Sequence, residues 1–344
     1  MDFSSLFKLP IIQGPMAGGA TTPELVAAVS NAGAVGSFAG SLLGPDQIRT
    51  QVERIRSLTA RPFILNFFVQ KTPQPGQEEV ARATELLRPV WASLGWTELP
   101  QPKQWCEDFE AQFETLLALR PAAASFTFGI LDAVQVERLH AAGILTIGTV
   151  TTVDEALAWQ AIGADAVIAS GVEAGGHRGT FIGRQEDAAL SAQELWPAVA
   201  QAVAIPVIAA GGIMNGADIK TALALGASAV QMGTAFLVTD ESGIHPAYKQ
   251  RLIDAEGQPT RLTRSFSGRY ARGIENRFMR EMAAVEAQVP PYPVQNALTG
   301  SIRAAAAKAG DTELMSLWAG TGVARARPMP AGRLVETLAS ELQS

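Results

Sequence analysis

The fold is indicated by a junction with the sequence Ala161-Ile162-Gly163-Ala164-Asp165-Ala166-Val167, where an alanine-rich amphipathic run ends at glycine and an apolar run follows. Similar junctions recur at residues 31–35, 141–144 and 224–230. Glycine after a helix supplies the left-handed C′ conformation, and a short continuous apolar run is typical of a strand buried on both faces of a parallel sheet. The junctions therefore predict helices that repeatedly lead into parallel strands.

Apolar runs on either side of these junctions give eight candidate strands. They lie near residues 11–16, 34–39, 62–68, 123–128, 145–150, 165–170, 206–211 and 229–233. Eight strands close a (β/α)8 TIM barrel, so we predict that α/β fold. An open doubly wound sheet is the alternative, but its first strand should be followed by Gly-x-Gly-x-x-Gly, and residues 14–19 are Gly-Pro-Met-Ala-Gly-Gly.

The end of the last predicted strand sets the domain organisation. We predict a barrel over residues 1–236, with an insertion at about residues 70–121. Barrels commonly take ~250 residues, so a chain of 344 has room for a further lobe. Residues 237–344 are predicted to form the last barrel helix and a mostly helical lobe on the substrate side.

Composition excludes several classes of protein. Hydrophobic residues make up 47% of the chain and charged residues 17%, which predicts a packed core rather than disorder. The single cysteine, Cys106, excludes an internal disulfide, and the three histidines show no zinc-binding spacing, so we predict no metal site. These features are typical of a cytoplasmic protein.

Charge and hydropathy also limit the partners. A net charge of −6 without a basic cluster argues against nucleic acid. The most apolar stretch, residues 199–214, is interrupted by polar residues, proline and glycine and falls short of the ~20 residues that span a membrane. We therefore expect small-molecule partners and no membrane insertion, and the sequence leaves a homo-oligomer open.

Two glycine-containing segments follow the seventh and eighth predicted strands. They are residues 211–216, Gly-Gly-Ile-Met-Asn-Gly, and residues 231–234, Gln-Met-Gly-Thr. Glycine lets a backbone approach a ligand, and the start of the next helix favours an anion. The glycines could simply form tight turns, but barrels commonly bind phosphate at these two strand ends. The segments therefore predict a phosphate site.

The loop after the sixth predicted strand has the most distinctive sequence, Ser170-Gly-Val-Glu-Ala-Gly-Gly-His-Arg-Gly-Thr180. Its glycines would let the backbone lie against a planar ligand such as a flavin, and His177 provides a titratable imidazole there. A surface histidine is the alternative, but the position above a barrel strand favours function. We interpret His140 as structural, at a helix end, and assign no role to His245.

Four segments, in order along the barrel, resemble the nitronate monooxygenases, formerly called 2-nitropropane dioxygenases. They are residues 11–19, 170–181, 211–213 and 231–236. Residues 64–68, 125–129 and 291–295 are similar to the class I subgroup. The resemblance implies non-covalent FMN and the oxidation of an alkyl nitronate, such as propionate 3-nitronate, to a carbonyl compound and nitrite with dioxygen.

The same resemblance implies roles for individual residues. His177 matches the catalytic histidine, which could accept a proton from the carbon beside a nitro group or, as imidazolium, hold the nitronate. Thr127 and Tyr292 are expected on the substrate side; some members have histidine at the position of Thr127 and glutamine at that of Ser170. The expected FMN contacts are Met16, Asn66, Ser170 and Gly175 at the ring and Gly212, Gln231, Met232, Gly233 and Thr234 toward the phosphate.

Two other functions remain open at this stage. An FMN-dependent NAD(P)H reductase acting on an enoyl-acyl-carrier protein or a quinone would share the Gly-Gly-His loop, although residues 178–181 and 291–293 favour the nitronate enzymes. A catalytically idle FMN carrier or sensor is the third hypothesis. The sequence leaves open the physiological substrate and whether neutral nitroalkanes are accepted.

Overall fold

Eight parallel strands form a closed barrel in the computed structural model, which describes residues 3–344. The strands are β1 (Ile11–Gln13), β2 (Val35–Ala39), β3 (Phe63–Phe68), β4 (Ala123–Thr127), β5 (Leu145–Val150), β6 (Ala166–Ser170), β7 (Gly176–His177), β8 (Val207–Ala210), β9 (Ala229–Met232), β10 (Thr260–Thr263) and β11 (Ala271–Ile274). The barrel order is β1-β2-β3-β4-β5-β6-β8-β9, and β9 pairs back with β1. The predicted (β/α)8 barrel is confirmed.

Helices alternate with the barrel strands, and several begin with the caps that their sequences predict. The Thr22 side chain accepts a hydrogen bond from the N–H of Leu25, and Ser191 forms a capping box with Glu194. The helices are α1 (Pro23–Asn31), α2 (Pro45–Leu58), α3 (Gln77–Leu86), α4 (Arg88–Ser93), α5 (Phe109–Leu119), α6 (Ala133–Ala141), α7 (Val153–Ala161), α8 (Ala192–Ala202), α9 (Gly216–Ala224), α10 (Thr234–Leu237), α11 (Pro246–Ile253), α12 (Arg277–Met282), α13 (Val294–Leu298), α14 (Gly300–Ala309) and α15 (Ala331–Gln343). Within residues 3–344, no helix is long and apolar enough to cross a membrane.

Alternate residues of the strands point inward and form an apolar cluster that fills the barrel interior. This cluster includes Ile12, Ile147 and Ile208, and Phe3 and Leu6 of the N-terminal 3₁₀ turn pack into it. The intervening strand residues point outward and pack against the surrounding helices. Because apolar side chains fill the interior, a ligand site must lie at the barrel mouth rather than inside it.

A second apolar cluster lies in the C-terminal lobe and includes residues of α3 and α4 from the segment between β3 and β4. The lobe also contains a hairpin of β10 and β11, and β11 pairs in antiparallel orientation with β7, which lies in the loop after β6. Helix α15 returns to the barrel and packs against α9 and α1. The hairpin thus connects the lobe directly to the loop that carries His177.

We expect the close packing of α7 on β5 to depend on Gly148. A Cβ atom at this position would lie 2.3 Å from the ring of the buried Trp159. Changing Gly148→Ala should therefore lower the free energy of unfolding by about 1–3 kcal/mol through overpacking. The matched control is Gly76→Ala, whose Cβ would meet no atom within 4 Å. Thermal unfolding tests this, and equal melting temperatures for the two variants would contradict it.

Candidate active site

A cavity of about 570 Å³ opens at the carboxyl ends of the barrel strands. Its size lies within the ~300–1,000 Å³ typical of small-molecule sites. The structure brings all the predicted site residues to its walls: Met16, Asn66, Thr127, Ser170, Gly175, His177, Gly212, Gln231, Met232, Gly233, Thr234 and Tyr292. Their common location makes one combined site geometrically feasible, while their individual roles remain predictions.

One end of the cavity is formed by backbone after β8 and β9. Gly212 has a φ of +75°, a conformation that favours glycine. The N–H groups of Gly212 and Gly233 donate to no acceptor within residues 3–344. Thr234 begins α10, and its Oγ1 accepts a hydrogen bond of 2.9 Å from the N–H of Gly320. Free N–H groups together with a helix start suit a bound anion.

Gly320 comes from a C-terminal segment that sequence analysis did not connect with this end of the cavity. A Cβ atom on Gly320 would lie 2.6 Å from the carbonyl oxygen of Glu173. A Cβ atom on Gly175 would in turn lie 2.5 Å from the Gly320 nitrogen. Glycine is therefore required at both positions for the C-terminal segment to close over the loop after β6.

Polar side chains form a row across the ends of β3, β4 and β5. The Asn66 Nδ2 atom donates to the Ser125 Oγ atom at 3.0 Å and lies 3.4 Å from the Thr127 Oγ1 atom. The hydroxyls of Thr127 and Thr149 are 3.2 Å apart. These contacts fix the orientation of Asn66 at the cavity wall, where it can hydrogen-bond a ligand ring.

The position of His177 depends on the lobe. In the pairing of β7 with β11, His177 lies opposite Ala271, and the N–H of Arg178 donates to the carbonyl of Tyr270 at 2.8 Å. A loop of the barrel therefore becomes the edge strand of a sheet that the lobe provides. The sequence did not reveal this pairing.

Two buried charged side chains fix the loop on either side of this strand. Arg178 is 2% exposed and donates to the carbonyls of Ser170, Gly171 and Ala188. Burial lowers the pKa of Arg178 to about 10, so the side chain keeps its charge at neutral pH. These three bonds tie Arg178 to the beginning of the loop, at Ser170 and Gly171, and to Ala188 near its end.

The second buried charge is Glu155 of α7, which is fully buried. Its carboxylate accepts hydrogen bonds from the N–H and hydroxyl of Thr151, at 2.6 and 2.9 Å. It also accepts from the N–H groups of Phe181 and Ile182. Its two oxygens therefore serve as the shared acceptor for the backbone after β5 and for the loop after β6.

Aromatic rings surround the His177 imidazole. Ring centroids lie 5.5 Å away for Phe128, 5.7 Å for Tyr292 and 5.4 Å for Trp318. Phe128 has a φ of +77°, which is rare for a residue with a side chain. The guanidinium of Arg269 lies over the Phe128 ring, 4.3 Å from its centroid. The imidazole is thus held in an apolar wall with a cation close by.

This environment determines the charge of the imidazole. Burial, followed by the positive charges of Arg269 and Arg303, lowers the pKa of His177 to about 3. Neither arginine forms an ion pair with a carboxylate within residues 3–344. The Arg303 Nη2 atom instead donates to the Asn296 Oδ1 atom at 3.0 Å. His177 is therefore neutral at neutral pH, which favours the proton-accepting form over the imidazolium.

Arg303 and Trp318 line the cavity, and Arg269 lies over the ring of the lining residue Phe128; the sequence did not reveal them, because nothing in their local sequence marks them. The other histidines lie elsewhere: His140 contacts Asp165 on the outer surface at 2.9 Å, and His245 caps α11 at the cavity edge. Within residues 3–344, no cluster of histidine, cysteine, aspartate and glutamate could hold a metal ion.

Comparison with known proteins identifies relatives along nearly the whole chain. A family model described as nitronate monooxygenase matches residues 3–341. A probable nitronate monooxygenase of Bacillus subtilis (strain 168) is 41% identical over 325 residues, which are 94% of this chain and 93% of the relative.

Two solved structures are also similar. Nitroalkane oxidase from Streptomyces ansochromogenes has a TM-score of 0.92 and 47% identity, covering 99% of this chain and 97% of that one. FabK from Thermotoga maritima has a TM-score of 0.76 and 28% identity, covering 98% and 93%. The likeness therefore includes the lobe as well as the barrel.

The geometry around Glu155 predicts that Glu155→Gln weakens the His177 loop. A glutamine amide would place N–H groups against N–H donors, so buried donors would lose their acceptor. We expect the free energy of unfolding to fall by about 1–3 kcal/mol, with faster proteolysis near residue 181. Thermal unfolding and limited proteolysis measure the two effects. The control is Glu137→Gln on the exposed surface of α6, and identical behaviour of the two variants would refute the prediction.

Proposed function

Because the chain belongs to the nitronate monooxygenase family, we propose that it uses bound FMN and dioxygen to oxidise alkyl nitronates to a carbonyl compound and nitrite. Propionate 3-nitronate is the substrate that we propose to test first. The observation that carries the proposal is that one cavity is lined by two backbone N–H groups without acceptors and by a half-buried imidazole whose pKa is lowered to about 3. The first suits a cofactor phosphate and the second suits proton transfer from carbon.

Several features of the cavity support FMN as the proposed cofactor. The free N–H groups of Gly212 and Gly233 would hold its phosphate, with Gln231, Met232 and Thr234 around them. Met16, Asn66, Ser170 and Gly175 would contact the ring. When bound, FMN supplies the electron transfer, for which the protein side chains have no equivalent.

The residues of the chain supply binding and proton transfer. A neutral His177 can accept the proton of a carbon next to a nitro group, which converts a neutral nitroalkane to its nitronate. A substrate that arrives as a nitronate has already lost this proton. Its negative charge is then stabilised by the field of Arg269 and Arg303, the two cations that also lower the pKa of His177. The rings of Phe128, Tyr292 and Trp318 limit the access of water.

The first test of this function concerns the phosphate site. Gly212→Ala should raise the dissociation constant of FMN by roughly 10–100-fold, because it disturbs one or two hydrogen bonds to a charged group. Gly257→Ala is the control, because Gly257 has a similar φ of +70° and does not line the cavity. Flavin fluorescence measures binding, and mass spectrometry identifies the released cofactor. Release of FAD, or equal FMN affinity in both variants, would show that the assignment is incorrect.

The second test concerns His177. His177→Asn should retain FMN and lose ~10²–10⁴-fold in turnover of a neutral nitroalkane, if one is accepted, because asparagine cannot act as a base. Turnover of a preformed nitronate should fall less, since asparagine still offers hydrogen bonds. Oxygen consumption and nitrite release give the rates.

His140→Asn is the matched control, because His140 lies on the outer surface. Oxidation of NADH with an enoyl thioester or a quinone is assayed in parallel. Normal nitronate and nitroalkane rates in His177→Asn would remove His177 from the mechanism. Rapid NADH oxidation without nitronate turnover would favour an FMN-dependent reductase instead.

A further inference from the structure

Ser267 makes a direct contact with His177 that the mechanism above does not use. It lies in the turn between β10 and β11, is buried, and its Oγ atom is 2.9 Å from the His177 Nε2 atom. The Oγ atom also lies 3.0 Å from the Arg269 carbonyl oxygen and 3.4 Å from the Arg269 nitrogen. Three polar atoms therefore surround one hydroxyl.

The hydrogen-bonding capacity of a hydroxyl decides how these three contacts work. A serine hydroxyl has one proton to donate and two lone pairs that accept. The carbonyl oxygen of Arg269 can only accept, so it takes the proton of Ser267. The backbone N–H of Arg269 can only donate, so it occupies one lone pair of the Ser267 hydroxyl. The remaining lone pair faces the His177 Nε2 atom and requires an N–H there.

The turn that carries Ser267 is held in place from several sides. The Gln295 Nε2 atom donates to the Ser265 carbonyl at 2.7 Å, and the Thr299 hydroxyl donates to the Phe266 carbonyl at 2.6 Å. A Cβ atom on Gly268 would lie 2.1 Å from the Pro290 carbonyl oxygen, so the backbone of the turn packs closely against this segment. The acceptor therefore has a fixed position relative to the imidazole.

We infer that Ser267 is a positioning residue that fixes the proton of neutral His177 on Nε2 and leaves Nδ1 as the basic atom that faces the cavity. The inference rests on the proposed role of His177 as a base and specifies which of its two ring nitrogens accepts the proton. Nδ1 has no hydrogen-bond partner within residues 3–344, and His177 lines the cavity. The proton of the substrate carbon passes to Nδ1, the electron pair of the C–H bond stays on the nitronate, and Nε2–H continues to donate to Ser267.

The charged groups around the ring make the tautomer important. Arg269 comes from the same turn as Ser267, and Arg303 comes from α14; both oppose a positive charge on the imidazole. Tyr292, which precedes α13, is kept neutral because burial raises the pKa of its hydroxyl. Since the ring is neutral, it has a single N–H, and the nitrogen that carries this proton cannot also be the base.

Nitrogen-15 NMR of the FMN-bound protein, labelled at histidine, tests the inference directly. The chain has only three histidines, and the His177 signals are those that disappear in His177→Asn. We expect a neutral ring with the proton on Nε2 in the wild type and in Ser267→Thr, which keeps the hydroxyl. Ser267→Ala should give a mixture of tautomers. The control Ser265→Ala removes a buried hydroxyl from the same turn that does not contact His177 and should leave the spectrum unchanged.

Rates supply a second readout. If neutral nitroalkanes are substrates, Ser267→Ala should lower kcat by about two- to tenfold, the value of one hydrogen bond, with little change in KM. A wild-type proton on Nδ1, or an unchanged tautomer in Ser267→Ala, would overturn the inference. If Ser267→Ala fails to fold, the wild-type and Ser267→Thr spectra decide. An Nε2 proton in a protein that oxidises no nitro compound would leave the Ser267 assignment intact and reject the proposed function.

Discussion

The pairing of β7 with β11 is the interaction on which the site depends. It covers two residues on the β7 side, and without it His177 would lie in a long glycine-containing loop whose ordering costs conformational entropy. Arg178 and Glu155 offset part of this cost by bonding to backbone groups that the loop would otherwise leave unpaired. A barrel loop, a barrel helix and the hairpin of the lobe therefore act together to place one imidazole.

The charges near this imidazole are two guanidiniums without a direct carboxylate partner within residues 3–344. Arg269 and Arg303 donate hydrogen bonds to neutral groups rather than to a carboxylate, and burial lowers the pKa of each to about 10, although Glu155 partly opposes this for Arg269. Burial, followed by their charge, lowers the pKa of His177, and we propose that the same charge stabilises an anionic substrate. Glu155 acts on Arg269 from a distance, since it raises the pKa of that guanidinium, but no carboxylate pairs directly with either arginine within residues 3–344.

The sequence predicted those parts of the structure that depend on local patterns. The glycine junctions indicated the barrel, and the barrel rule then placed Gly212, Gly233 and His177 at one mouth. Contacts between distant residues escaped prediction: Ser267 is 90 residues from His177, and its neighbourhood carries no pattern that points to a histidine. The strands of the hairpin were missed because each has four residues, too few to show a clear alternation. Helix α5, within the predicted insertion, packs on the barrel because it continues the alternation of strand and helix.

The barrel and the lobe make different contributions to the chemistry. The barrel contributes the free backbone N–H groups after β8 and β9, which are the proposed phosphate site. The lobe offers the side chains that contact or polarise His177, namely Ser267, Arg269, Tyr292 and Arg303. Substitutions in the lobe can therefore change the basicity of the imidazole or the charge of the preferred substrate while the proposed cofactor site stays intact. This separation gives a physical reason why one barrel could support different flavin reactions, with the reaction determined by residues that approach from outside the barrel.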